Sequence, residues 1–333
     1  MAESGYSKII AVLDILKRTD ESHPVTSNQI IASLKKKNLH AERKSIGRYI
    51  RMLREELNYD IVLCENRNLG WYMRDQDFED YELKMLADWV ASAKFLSMDD
   101  SRKLIKKIQN LATKEGERII EDTLVIDESM KITDSMFAIK FDAIMRAIAD
   151  KKKVSFKYTD WGPGNKRVPR KDGKTYVISP YYLGVWGYEY YVVANTDPYD
   201  NVSVYRVELM DSLETLQDKS RRMDEISELT GIGENGREFI DFIKESVNLK
   251  FGEPRSIKIS GINHLRNEVM KKFGNKLLFR DQGADRFSVY VNASDSRGFY
   301  EWIAQFGANM KIEHPKDCIE KYKRFLAETL EQY

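Results

Sequence analysis

Residues 27–54 read SNQIIASLKKKNLHAERKSIGRYIRMLR, and this stretch decides how the N-terminal part of the chain is interpreted. It holds eight basic residues against one acid, although the formal charge of the whole chain is only +1. On a helix, at about 100° per residue, Lys44, Arg48 and Arg51 share one face. The opposite face carries the aliphatic side chains Ile46, Ile50, Leu53 and Leu57. One side of this helix can therefore be buried while the other presents cations to a polyanion.

The cationic face predicts contacts with duplex DNA, because a recognition helix needs such side chains on its exposed side. A solvated amphipathic face and a protein-interaction module are the alternatives. The predicted DNA contacts are Arg43, Lys44, Ser45, Arg48, Tyr49, Arg51, Arg54 and Arg67. The operator sequence is not predicted, since an arginine that contacts guanine and one that contacts phosphate look the same in a sequence.

Around this stretch, the pattern predicts three helices and a β-hairpin, the layout of a winged helix-turn-helix domain over residues 1–76. Apolar residues recur at helical spacing between Tyr6 and Lys17. Thr26 and Gln29 have the spacing of a capping box at the start of the second helix. Two short strands at 60–64 and 70–74 follow, joined by a turn-rich tip that offers Arg67 to a minor groove or a phosphate.

Length and composition predict two or three domains of a soluble cytoplasmic protein. The 333 residues are 42% hydrophobic and 32% charged, which is typical of a globular chain and not of a disordered one. The two cysteines, Cys64 and Cys318, predict no disulfide framework. The chain has no leader-like start and no apolar run of about 18 residues, so no membrane segment is expected.

Residues 77–132 predict a helical linker or dimerisation segment. Apolar residues at three- and four-residue spacing predict helices at 78–97 and 99–114, and their stripes fit either an intramolecular core or a dimer interface. Residues 116–133 are polar and predict a connection without regular structure.

Residues 133–217 predict a helix followed by a small, mostly antiparallel β-barrel or curved sheet. Apolar spacing indicates the helix at 134–149, and strand patterns follow at 154–158, 175–179, 181–185, 188–194 and 203–210. From Lys151 to Lys174 there are nine basic residues and two acids, beside a tyrosine-rich hairpin.

Three short motifs in this region resemble the WYL domain of bacterial regulators. Pro180 and Leu183 match its Pro-x-x-Leu, and Arg206 matches the first arginine of its aromatic-Arg-Leu-Asp-Arg strand. The namesake Trp-Tyr-Leu triplet is matched by Tyr190-Tyr191-Val192, with Tyr in place of Trp and Val in place of Leu. Leu209 stands where the family often has a second arginine.

Residues 254–333 predict the order βαββαβ plus one helix, which is similar to the ferredoxin-like WCX extension that follows many WYL domains. Residues 218–253 are interpreted as connecting helices. The predicted fold class is therefore α+β with several domains: a winged helix-turn-helix, a helical linker, a small Sm-like β-barrel and a ferredoxin-like C-terminal domain.

The resemblance implies a homodimeric transcription factor whose WYL domain senses a nucleic-acid or nucleotide-like effector, in roles that include phage defence. An arginine fork beside a tyrosine face can pair a phosphate and stack a base. Arg206 lies opposite Tyr190 or Tyr191, depending on the strand register. The predicted effector contacts are Tyr191, Arg206, Lys157, Tyr158 and Tyr176.

The alternative for the same residues is a purely structural role. Tyr190 and Tyr205 could be core side chains, and Arg206 could pair with Glu208 or Asp211. No metal site, cofactor or enzymatic activity is predicted, since the four histidines are scattered and neither a phosphate-binding loop nor a nucleophile elbow is present.

The sequence as a whole predicts a dimeric, sequence-specific DNA-binding regulator, in the first instance a repressor. Its predicted partners are a double-stranded DNA operator, a second copy of the chain and a nucleic-acid or nucleotide-like effector, with no membrane. Two alternatives stay open: a single-strand nucleic-acid binder that uses the basic surface of the WYL domain, and a winged-helix protein-interaction adaptor.

Overall fold

The computed structural model describes residues 5–131, 136–186, 188–229 and 253–333. They belong to two compact units, one of residues 1–141 with 185–190 and one of residues 142–184 with 191–333. The five predicted domain boundaries stay predictions, and most of the predicted connecting segment 218–253 lies outside the described residues.

The first unit begins with the predicted three helices and hairpin. These are α1 (Gly5–Leu16), α2 (Ser27–Lys36), α3 (Arg43–Glu55), β1 (Ile61–Leu63) and β2 (Trp71–Met73), with β1 and β2 antiparallel. The predicted capping box is confirmed: the Gln29 backbone N–H donates to Thr26 Oγ1 at 3.2 Å, and the Thr26 N–H donates to Gln29 Oε1 at 2.7 Å. These two bonds satisfy donors that the first turn of α2 leaves without helical partners.

The aliphatic face of α3 is buried as the pattern predicts for three of its four residues, whereas Leu57 lies beyond the end of α3 and is 57% exposed. Ile46, Ile50 and Leu53 are at most 1% exposed, and they pack in one core with Val12 and Leu16 of α1. Each fully buried aliphatic side chain stabilises the fold by about 1.5–3 kcal/mol. This core fixes the rotation of α3 about its axis, so that its basic side faces outward.

Three further helices follow in the first unit: α4 (Asp80–Ser92), α5 (Met98–Gln109) and α6 (Lys114–Thr123). The expected irregular connection at 116–133 is therefore wrong over its first part. Gly116 lowers the helix propensity of this segment, which is why no helix was expected. A Cβ at Gly116 would lie 2.1 Å from the Asp80 carboxylate, so glycine lets α6 approach α4 this closely. Asp80 in turn accepts hydrogen bonds from the Thr113 N–H at 3.0 Å and the Thr113 hydroxyl at 2.6 Å, at the N-cap of α6.

The predicted apolar stripes of α4 and α5 are only partly core. Leu83 of α4 is fully buried with Ile120 of α6, whereas Leu86 and Leu104 are 44% and 40% exposed. Each apolar stripe is therefore buried along one side and exposed to solvent along the other.

A helix and a six-stranded sheet follow. The helix α7 spans Phe137–Ala149, and the strands are β3 (Lys152–Gly162), β4 (Lys166–Pro169), β5 (Thr175–Trp186), β6 (Glu189–Thr196), β7 (Val202–Arg206) and β8 (Met210–Lys219). The order is β4-β3-β5-β6-β7, with β8 also paired to β3, and the β3 and β7 pairings are antiparallel. The antiparallel sheet is confirmed, but β4 and most of β8 were not predicted. The expected strand at 203–210 is interrupted by a 3₁₀ turn, Val207–Leu209.

The C-terminal part has the predicted order of elements. They are β9 (Glu253–Ile262), α8 (Arg266–Phe273), β10 (Arg280–Asp281), β11 (Arg286–Asp295), α9 (Arg297–Ala304), β12 (Met310–His314) and α10 (Lys316–Leu330). The strands form an antiparallel sheet in the order β10-β11-β9-β12 over a core that includes Phe287 and Phe299. The strand expected at 276–280 is wrong in extent, since β10 starts only at Arg280 and Leu278 is 87% exposed.

Across the described ranges, none of the helices has the length and apolar character needed to cross a lipid bilayer.

Candidate nucleic-acid interface and effector site

The outward side of α3 is a cationic surface, here called the basic face: Arg43, Lys44, Arg48, Arg51 and Arg54. All five side chains are exposed, and within the described parts of the chain none of them forms an ion pair. Two guanidiniums rest near aromatic rings, Arg48 at 5.5 Å from the ring centre of Tyr49 and Arg54 at 5.8 Å from that of Trp71. The charges of the basic face are therefore not neutralised by carboxylates of the same unit, and they remain for an external anion.

A groove of about 660 Å³ lies along the basic face, between α3 and the strand β2. Its lining consists of Lys44, Ser45, Gly47, Arg48, Ile50, Arg51, Arg54 and Trp71, together with the acidic residues Glu42 and Glu55. The predicted contact Ser45 is half-buried and lies within this groove. The structure thus brings Ser45 and four of the five predicted basic residues of α3 to one concave surface.

Tyr49 is the exception among the predicted DNA contacts. Its side chain is 5% exposed and belongs to the core that also contains Ile46 and Ile50. The prediction of a DNA contact is contradicted for this residue, because its position on the helix lies on the buried side. Tyr49 supports α3 from beneath, and the Arg48 guanidinium lies over its ring.

The hairpin tip is held close to the start of α2. Val25 and Trp71 exchange two backbone hydrogen bonds, with N···O distances of 2.8 and 2.9 Å. Gly70 has φ +95°, and a Cβ there would lie 2.2 Å from the Val25 carbonyl oxygen. Sequence reasoning missed this bridge, although the glycine was a signal for a left-handed residue or a close approach. Beyond it the predicted contact Arg67 is exposed at the tip.

In the WYL-like region, the strand register shows which tyrosine lies opposite Arg206. Tyr191 of β6 lies directly opposite Arg206 of β7. Tyr190 instead packs against Phe95 and Phe141 of the first unit, with ring centres 4.5 and 4.9 Å away. Of the two tyrosines in the core alternative, Tyr205 is buried and Tyr190 is half-buried against these rings, and Tyr191 is the tyrosine that lies opposite Arg206.

Arg206 forms an ion pair with Glu208, as the structural alternative had it. The Glu208 side chain is only 3% exposed, whereas that of Arg206 is 33% exposed. The backbone N–H of Arg206 donates to the Tyr158 hydroxyl at 3.1 Å. Arg206 therefore reaches solvent while it also neutralises a buried carboxylate.

Two predicted effector contacts are core side chains. Tyr158 and Tyr176 are 6% and 9% exposed and form an aromatic cluster with Phe156 and Tyr205. Phe156 stacks on Tyr176 at 5.5 Å between ring centres, and burial raises the pKa of Tyr158. The prediction of direct effector contact through these two rings is contradicted, since tyrosine at alternate strand positions points into the sheet core. Of the weaker candidates only Lys157 is exposed, opposite Asp211 of β8.

Arg167 is a site residue that sequence reasoning missed. From β4, its Nη1 donates to the backbone carbonyl oxygen of Glu208, whereas Arg206 pairs with the Glu208 carboxylate. Its Cζ lies 5.4 Å from the ring centre of Trp161, which is 59% exposed. The only signal in the sequence was the run of positive charge from Lys151 to Lys174, which does not distinguish one cation from another.

One group of potential metal ligands occurs among the described residues, formed by Asp295, Asp317 and Cys318. Protein cations already hold its carboxylates: Lys321 pairs with Asp295, and Arg255 pairs with Asp317. Burial raises the pKa of the Cys318 thiol to about 11, which disfavours the thiolate that a metal needs. The group is a structural network at the start of α10.

Comparison with known proteins adds a family assignment. Among solved structures, the chain is similar to the proteasome accessory factor B/C (PafBC) of Arthrobacter aurescens, with 13% identity over 98% of this chain and a TM-score of 0.26. It is also similar to a CRISPR Cas-related protein, with 12% identity, coverage of 98% of this chain and 84% of that chain, and a TM-score of 0.26. The match covers 49% of the PafBC chain, so this sequence spans about half of that protein. A search of curated proteins finds no match.

The family model described as "WYL domain" matches residues 140–215. This range contains strands β3 to β7, the first part of β8, the Tyr191–Arg206 pair and Glu208. Residues 140–215 therefore form a WYL domain.

Proposed function

We propose that this chain is a DNA-binding transcriptional regulator in which α3 contacts duplex DNA and the WYL domain binds an anionic effector. The observation that carries the proposal is the basic face: five exposed cations above an aliphatic core, with no carboxylate partner among the described residues. The three helices and the β1–β2 hairpin are interpreted as a winged helix-turn-helix, with Arg67 at the tip of the wing.

The charge of the basic face predicts a steep salt dependence of DNA binding. Each phosphate neutralised contributes about 0.9 to the slope of log K against log salt. Five contacts would give a slope of about 4.5, so raising salt fourfold should weaken binding about 500-fold. If the basic face does not contact DNA, replacing its cations should leave the salt dependence of DNA binding unchanged.

The finer features of the proposal follow the family resemblance. The WYL sheet is interpreted as a small Sm-like barrel and the C-terminal part as a ferredoxin-like WCX domain. The regulator is proposed to act in the cytoplasm as a homodimer on a two-fold operator, as a repressor, because recognition helices of this class commonly pair on two half-sites.

The effector site is proposed around Arg206 and Tyr191. Arg206 offers a partly exposed guanidinium, and Arg167 of β4 donates to the backbone carbonyl of Glu208, the residue whose carboxylate pairs with Arg206. Such forks bind phosphate oxygens, and a tyrosine or tryptophan face can stack a base. The effector changes DNA affinity only if it binds the DNA-competent and DNA-incompetent states unequally.

The DNA assignment can be tested by fluorescence anisotropy with duplex DNA from upstream of the protein's own gene, over a series of salt concentrations. The double variant Arg48→Ala/Arg51→Ala should lower the slope by about 1.8 and weaken binding at least tenfold. A matched control is Lys323→Ala/Arg324→Ala, which removes the same charge from exposed positions of α10. Equal binding by the two double variants would contradict the assignment.

The single-strand alternative is favoured by one observation, the exposed Trp161 beside Arg167 on a basic hairpin. Base stacking on such a ring is tolerant of sequence. If the chain binds single-stranded DNA more tightly than duplex, and Trp161→Ala weakens that binding while Arg48→Ala/Arg51→Ala does not, this second function replaces the first.

A further inference from the structure

We infer that Gly47 is the point at which the backbone of α3 lies directly against the DNA duplex, and that residue 47 sets how closely the helix docks. The inference rests on the proposed function, because it assigns a position within the surface that is proposed to contact DNA. Gly47 has neither a charged nor a hydrogen-bonding side chain, so it would not be chosen as a DNA contact on chemical grounds.

Gly47 lies in the middle of the basic face. The residues one helical turn away on the same side are Arg43, Lys44 and Arg51, at i−4, i−3 and i+4. All of these positions are exposed, and Gly47 also lines the groove between α3 and Trp71. A side chain at position 47 would therefore project from the centre of the cationic surface.

Glycine is an unfavourable residue at this place for the fold alone. After proline it is the poorest helix former in a helix interior, and Gly47 is the fifth of the 13 residues of α3. A Cβ built at Gly47 has no heavy atom within 4 Å beyond its own helix and chain neighbours, and its φ is not left-handed. Neither packing nor backbone conformation within the described chain requires glycine here.

Two other glycines show what such a requirement looks like. At Gly116 a Cβ would lie 2.1 Å from the Asp80 carboxylate, and at Gly70 it would lie 2.2 Å from the Val25 carbonyl oxygen. Both glycines are explained by contacts within the first unit. Gly47 has no such contact among the described residues, which points to a ligand docking on this surface as the reason for its missing side chain.

The absence of a side chain at position 47 shortens the possible distance between the helix axis and the duplex by an amount comparable to the helix radius. The Cα atoms of a helix lie at a radius of about 2.3 Å, whereas its side chains extend to about 5–6 Å. At Gly47 the duplex can come about 3 Å closer than at a position with an ordinary side chain. This approach lets Arg43, Lys44 and Arg51 reach phosphates on either side of the contact without lifting the helix.

Gly47→Ala and Gly47→Gln test the inference in the full chain. Duplex affinity is measured by anisotropy as above, and the melting temperature by circular dichroism. Neither variant should melt below the wild type, since alanine and glutamine are better helix formers than glycine. Gly47→Gln should bind duplex at least tenfold more weakly, and Gly47→Ala should lie between it and the wild type. Ala327→Gln, which adds the same side chain to an exposed position of α10, should bind like the wild type.

The possible results distinguish the role of Gly47 from the assignment of α3 to DNA binding. If Arg48→Ala/Arg51→Ala loses duplex binding while Gly47→Gln binds like the wild type, the close-approach role is overturned and the DNA assignment stands. If both variants bind like the wild type, the DNA assignment of α3 fails and the inference fails with it. A loss of binding by Gly47→Gln with an unchanged melting temperature supports the inference.

Discussion

Replacing Arg206 should destabilise the fold as well as disturb any effector response. The Glu208 side chain is 3% exposed, and Arg206→Ala would leave this carboxylate without the guanidinium that now neutralises it. Breaking a buried ion pair by removing one partner costs about 3–5 kcal/mol. We expect about 3 kcal/mol, the lower end, because Arg206 itself is 33% exposed and water can partly replace it. For a unit of this size the loss corresponds to a melting temperature lower by about 6–12 °C.

The double variant Arg206→Ala/Glu208→Gln identifies the cause. It removes the stranded charge together with its partner, so at least half of the lost stability should return. Arg222→Ala is the control, because Arg222 and Asp224 form an ion pair with both side chains well exposed, and such pairs contribute little. Thermal unfolding followed by circular dichroism measures all three variants. If Arg206→Ala melts with the wild type, or if Glu208→Gln fails to restore stability, the reasoning about the buried carboxylate is refuted.

Three further predictions follow from single contacts. Gly70→Ala should lower the free energy of unfolding by about 2 kcal/mol or more, because φ is +95° and the new Cβ would clash with the Val25 carbonyl. Chemical denaturation that finds the variant as stable as the wild type would contradict this. The hydrogen bond from Lys258 lowers the pKa of Glu313 to about 2 from 4.5, so the charged form stabilises the fold above pH 4.5 and this contribution is lost as pH falls towards 2. Glu313→Gln should therefore show a smaller loss of stability over that pH range than the wild type in acid titrations, and equal losses would count against the pair. Phe156→Ala should cost about 3–5 kcal/mol in denaturant unfolding, since Phe156 is 1% exposed and central to the aromatic cluster, and a cost below about 1 kcal/mol would contradict that placement.

Local patterns were sufficient to predict the elements that carry the candidate DNA interface. The helical period of Ile46, Ile50 and Leu53 fixed both the existence of α3 and the side that is buried. The same period places Tyr49 on the buried side, so helix geometry alone argues against a direct DNA contact for this residue. Exposure of the basic face follows from these aliphatic neighbours and needs no long-range information.

Other elements depended on contacts that the local pattern does not contain. The helix α6 was missed because Gly116 and the few apolar residues weakened its period, whereas its stability comes from the Asp80–Thr113 cap and from Ile120 in the core. The strand β4 was missed because it exists only as the partner of the extended end of β3. In both cases tertiary contacts outweigh the intrinsic preference of the segment.

The effector site shows most clearly where a single sequence stops being informative. A shift of one residue in the β6–β7 register would exchange Tyr191 for Tyr190 opposite Arg206 and turn every side chain of the strand to the other face. Arg167 reaches Glu208 across 41 residues, through a hairpin whose length no local pattern defines. Because Arg206 is already paired with the buried Glu208 carboxylate, an anion that binds there must compete with Glu208 for Arg206. Effector affinity should therefore depend on the acid as much as on the arginines, which is why the Arg206 and Glu208 variants have to be compared as a pair.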